Sequence, residues 1–180
     1  MDPKTVKIME YQHLIKTHQR AIWLGSFDNK IGRISKGVVT RMTSGTKTIV
    51  FIPCDKVSKR RMVTYRNIVV SILPQKDENH RTRLTVGGNL INYPGNVSTP
   101  TYVTSTAKML FNSTVYTPGA QFMCVDVKDF YLNIPMESYK YMWLPTDLIP
   151  EEIIDQYNLR PLVNNGRVYM DIKKSMYSLP

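Results

Sequence analysis

With 180 residues, the chain has room for one ordinary domain or for two small subdomains around a shared core. A hydrophobic fraction of 42% and an aromatic fraction of 10% supply core material and argue against wholesale disorder. Lys and Arg outnumber Asp and Glu by 24 to 14, a formal charge of +10 that favours polyanionic partners.

Cys54 and Cys124 are too far apart in sequence to form a metal knuckle and set out no disulfide framework. A reducing, intracellular setting, cytoplasmic or nuclear, is therefore expected rather than secretion. The polar start from Met1 to Lys7 leads into no apolar run, so no signal peptide is expected. No stretch approaches the roughly 18 apolar residues of a spanning helix, and no membrane partner is expected.

In chain order, Ile8, Tyr11, Leu14, Ile15 and Ile22 recur at roughly helical spacing over residues 5–24. Gly25 and the Asp28-Asn29 pair are expected to break that helix. After a turn at Gly45, the run Thr48 to Ile52 reads as a strand ended by Pro53. Lys56, Lys59, Arg60, Arg61 and Arg66 then form a basic stretch, which Arg41 would join if the flanking segments fold back as a hairpin. Asn67 to Leu73 and Arg81 to Val86 read as two strands of a hairpin around a polar turn. From Thr99-Pro100 to Tyr116, Val103, Ala107, Leu110, Phe111 and Val115 predict a helix, stopped at Pro118-Gly119.

Phe122 to Val127 reads as a buried strand that delivers Asp126 near its end. Tyr139, Tyr141 and Trp143 alternate with Lys140 and Met142 as in a half-buried strand, which makes Trp143, like Trp23, a core residue. A short helix is expected from Pro150, with acids in its first turn, and a last strand at Arg167 to Ile172. Strands and helices mixed without regular alternation predict an α+β fold.

The segment Val125-Asp126-Val127-Lys128-Asp129-Phe130-Tyr131 suits metal-dependent phosphoryl transfer. Mg²⁺ takes carboxylate oxygens and keeps waters, so one strand-end Asp needs help from others nearby. The plainer alternative is a strand running into an Asp-containing turn.

Over residues 20–180 the sequence resembles the reverse transcriptase of Ty1/copia-type retrotransposons, in five blocks that keep the family's order. Arg81 to Gly88 is similar to its "ARLV" fingers strand. Ser98-Thr99-Pro100 with the following helix is similar to "aPV…T…lL". Asp126 to Asn133 is similar to polymerase motif A, "DVK.AFLNG". Tyr139 to Pro145 is similar to "vYM.qP", and Lys173 to Leu179 to "KKALYGLKQ". The resemblance implies an incomplete right-hand polymerase fold, fingers plus the first part of the palm. Its segments would be an N-terminal helical extension (1–24), a fingers-like region (25–118) and a partial palm (119–180).

By the same resemblance Asp126 is the catalytic residue and the ligand of Mg²⁺. Asp129 and Phe130 offer backbone N–H groups to the incoming dNTP, and Tyr131 lies under its sugar. Arg83 pairs with its phosphates, with Arg81 and Lys76 as weaker candidates. Lys56, Lys59, Arg60, Arg61 and Arg66 contact the RNA or DNA template-primer, the implied partner along with dNTPs.

Two features depart from the family. Ser178 stands where "YGL" has glycine, a position where a side chain obstructs close approach. The family's Y-x-D-D motif is not among these residues, so the segment is expected to be inactive alone, with the remainder of such a polymerase as a further partner. The alternatives are a non-catalytic basic nucleic-acid-binding remnant and a small hydrolase built on Asp126 and Asp129.

Overall fold

The structure, a computed structural model, describes residues 10–90, 103–125, 127 and 129–176, without the side chains of Tyr131, Glu137, Ser138 and Tyr139. It is α+β, with four α-helices and two sheets among the described residues. Two units separate: Met1–Ile91 with Asp129–Pro180, and Asn92–Lys128.

In the first unit, helix α1 spans Tyr11–Leu14 and helix α2 spans Arg20–Ile34. Trp23, Phe27, Ile31 and Ile34 recur at the spacing of one helical face, and all four are buried. Helix α2 thus passes straight through the Gly25 and Asp28-Asn29 positions at which the sequence predicts a break. Tertiary partners explain the difference. Asp28 is buried beside Arg41, and Asn29 links Arg41 to Glu78. The helix ends instead at Ile34, and the chain turns away at Gly37, whose φ of 112° few other residues adopt. There the Gly37 N–H donates to the Gly32 carbonyl at 2.9 Å.

Strand β1 (Ile49–Ile52) follows, then the two-residue β2 (Val63–Thr64). Strands β3 (Arg66–Ile72) and β4 (His80–Val86) form the expected antiparallel hairpin, with Val69 opposite Arg83. Thr82, Leu84 and Val86 turn inward, and Ser26 of α2 shares a 2.8 Å hydroxyl–hydroxyl hydrogen bond with Thr82. After Asp129 come β5 (Pro135–Pro145), α4 (Glu151–Gln156) and β6 (Arg167–Lys174).

The larger sheet has the order β1-β6-β5-β2, with β6 antiparallel to both its neighbours and β2 parallel to β5. Val168, Met170 and Ile172 alternate into the core from β6, and Met142 and Leu144 do so from β5. No helix among the described residues is long and apolar enough to cross a membrane.

The second unit holds helix α3, Thr104–Tyr116, which ends before Gly119 as its turn residues predict; its expected start at Thr99-Pro100 lies outside the described residues. The Phe111 and Phe122 rings lie 4.8 Å apart. The strand expected at Phe122 to Val127 does not form at Phe122–Val125 or at Val127. These residues are exposed and join no ladder, and without a ladder an apolar run gains nothing from extending.

Candidate functional site

A cleft between α2 and β4 gathers four cations and one acid. Ser26, Asn29, Lys30 and Arg33 line it from the helix, Arg81, Thr82 and Arg83 from the strand, and Glu78 from the turn. Lys30 and Arg33 are one helical turn apart, so both reach the same side of α2. Glu78 is the acid among these lining residues, and it accepts a 3.0 Å hydrogen bond from the Asn29 amide.

Lys30 reports the field in this cleft. Burial, and then the positive charge of Arg33, push its pKa down to about 8; Asp129 opposes the shift, while Arg81 and Arg83 add to it. An anion entering the cleft would favour the protonated ammonium again. The interior of the cleft, about 20 Å³, has room for about one water, so the four cations act at its mouth, where the two strand arginines offer planar forks of donors to a phosphate.

Asp129 belongs to this neighbourhood and adopts φ 57°, a left-handed conformation that re-aims the chain just before the turn Tyr131–Asn133. The Asn133 amide donates to the Asp129 carbonyl at 3.1 Å and holds that turn. Phe130 is exposed beside it, and the Tyr131 side chain lies outside what is described. Asp126 also lies outside the described residues, and no group of three His, Cys, Asp or Glu side chains able to hold a metal occurs among those described.

The basic stretch divides. Lys56, Lys59 and Arg60 are exposed on the loop between β1 and β2, as is Arg61, whose charge nevertheless reaches Asp171. Arg66 lies on β3, its guanidinium 4.8 Å from the centre of the Trp143 ring, and Arg167 lies 4.2 Å from the same ring. Trp143 is half-buried and flanked by cations, unlike the fully buried Trp23. Arg41 does not join the basic stretch: it pairs with Glu152 at 2.9 Å and Asp28 at 3.5 Å. The loop itself carries one acid, Asp55, among its four cations.

Sequence reasoning picked out Arg83 and Asp129 separately, and the structure brings both to the surroundings of Lys30. It missed Lys30 and Arg33. Their spacing was the available signal, hidden once the helix was taken to stop at Gly25. Arg167 was missed because it starts a strand whose partner, Pro145, gives no hint of the neighbouring indole. Compared with protein-family models, with curated proteins and with solved structures, the chain finds no match in any of the three.

Proposed function

We propose that this chain carries the fingers and first palm segment of an RNA-directed DNA polymerase of the Ty1/copia type, and that the α2–β4 cleft takes the polyphosphate of a nucleotide. The observation that supports this reading is the gathering of Arg81 and Arg83 with Lys30 and Arg33 in one cleft, within reach of the charge of Asp129. Arg81 and Arg83 pair with phosphate oxygens, and Lys30 adds a point charge whose protonated form the bound anion favours. By the same resemblance Asp126 would hold Mg²⁺, which would supply Lewis acidity for nucleotidyl transfer.

The resemblance carries one metal-binding carboxylate onto these 180 residues, so on their own they are proposed to bind nucleotide without extending a primer. Primer extension on an RNA template with dNTPs and Mg²⁺ tests this directly. Wild type and Asp126→Ala are expected to give the same background. Extension that depends on Asp126 would show that other carboxylates complete the site.

The cleft makes a separate prediction. Tripolyphosphate affinity, followed by calorimetry, should fall about tenfold as pH rises from below to well above 8, as Lys30 gives up its proton. Lys30→Met should bind weakly with little pH dependence over the same range. An identical pH profile in the variant would remove Lys30 from the site.

A second reading, nucleic-acid binding without catalysis, is supported by the exposed Lys56, Lys59 and Arg60 and by the cations gathered at Trp143.

A further inference from the structure

Strand register gives the larger sheet a second face, opposite the core. On β6 this face carries Tyr169, Asp171 and Lys173, the residues that alternate with buried Val168, Met170 and Ile172. Ile52 of β1 pairs with Tyr169, and Tyr169 pairs with Trp143 of β5. Ile52, Tyr169 and Trp143 therefore form one row across three strands, and all three are half-buried. In the next row Val50, Asp171 and Tyr141 stand opposite one another.

Cations surround these rows. Arg66 and Arg167 both stack on the Trp143 ring, and Arg61 and Lys173 lie around Asp171. Among the described residues, Asp147 and Asp171 are the acids set against these four. Asp147 faces Arg66, and Asp171 has a side chain only 13% exposed. Two guanidiniums on one indole repel each other, and an arriving phosphate relieves that repulsion. The loop that carries Lys56, Lys59 and Arg60 links β1 to β2, the two outer strands of the sheet.

We propose that this sheet face binds single-stranded nucleic acid, with a base stacking on Tyr169 beside the guanidinium-flanked Trp143, and phosphates held by Arg66, Arg167 and the Lys56–Arg61 loop. The chemistry requires unpaired bases. Aromatic rings lying on a sheet reach base faces only where bases are free of a duplex, and every base has such a face. Charge alone would accept any polyanion; the aromatic row adds the preference for a single strand. The inference rests on the nucleic-acid-binding reading and does not depend on the phosphate cleft.

The test uses the full chain and a fluorescein-labelled oligouridylate about 15 nucleotides long, with anisotropy as the readout. Expected are binding that weakens with salt, weaker binding to a duplex of equal length, and quenching of indole fluorescence. Trp23 is 2% exposed, so the quenching reports Trp143. Tyr169→Leu should weaken oligouridylate binding about tenfold, whereas Tyr169→Phe, which keeps the ring, should bind as wild type does. Thermal melts of both variants establish that they are folded. Salt-sensitive binding equal in the Leu and Phe variants, or equal for duplex and single strand, overturns the platform and leaves a charged surface. No oligonucleotide binding at all overturns both the platform and the reading beneath it, with tripolyphosphate binding measured alongside as the report on the cleft.

Discussion

Replacing Phe27 by alanine is expected to cost about 3–5 kcal/mol of folding stability, the range for deleting a large aromatic side chain from a packed core. Phe27 is completely buried on the inward face of α2, and its ring centre lies 4.8 Å from that of Tyr11 on α1. The Tyr11 hydroxyl donates in turn, at 3.4 Å, to the carbonyl of Leu148. Removing the ring therefore opens a void where two helices and the segment after β5 meet. Since whole domains are stable by roughly 5–15 kcal/mol, this one change consumes a large part of the total. Urea unfolding followed by far-UV circular dichroism measures it. A loss below about 1 kcal/mol would mean that the site collapses around the gap, and that α2 is held mainly by its polar contacts.

The second large effect concerns Asp28. The residue is 5% exposed, and one carboxylate oxygen, Oδ1, is buried without a hydrogen-bond partner. Burial, and then the negative charge of Glu152, raise its pKa from 3.8 to about 6, although Arg41 pulls the other way through both its charge and a hydrogen bond. A folded-state pKa above the unfolded value stabilises the fold fully below about pH 4, and that stability is lost as pH rises through about 6. The full swing is about 3 kcal/mol. Asp28→Asn keeps the shape and cannot ionise, so its advantage over wild type should grow between about pH 4 and 7. Denaturant melts of both proteins at several pH values test this. A difference that stays constant with pH would show that Arg41 compensates the charge of Asp28 completely.

These two neighbours also show which features were legible in the sequence. The hairpin β3–β4, the strands β1, β5 and β6, and the short helix after Pro150 follow from local alternation and punctuation, which dominate where one face of an element is buried. The continuation of α2 through Asp28 does not, because that carboxylate is paired with Arg41, which lies outside the helix and is itself held by Glu152. Local rules place an Asp-Asn pair in a turn, and here tertiary pairing overrides them. The candidate site divides in the same way. Arg83 and Asp129 were visible as motif members, while Lys30 and Arg33 become site residues only when the helix is continuous. Trp143 read as core because alternation identifies a strand without saying what covers its second face. Asp126, the centre of the sequence argument, lies outside the described residues.

The position of β6 has a kinetic consequence. This strand, Arg167–Lys174, is the last element described in the chain, yet it lies between β1 and β5 in the sheet. Until it emerges from the ribosome, β1 has no neighbour and β5 has only the two-residue β2, so their apolar faces stay unsatisfied. The hairpin β3–β4 can form early through local contacts and then receive α2, whereas the sheet must wait for a closure across more than half the sequence. Folding should therefore be delayed and cooperative, with a vulnerable interval during synthesis in which β1 and β5 are exposed to chaperones or to aggregation.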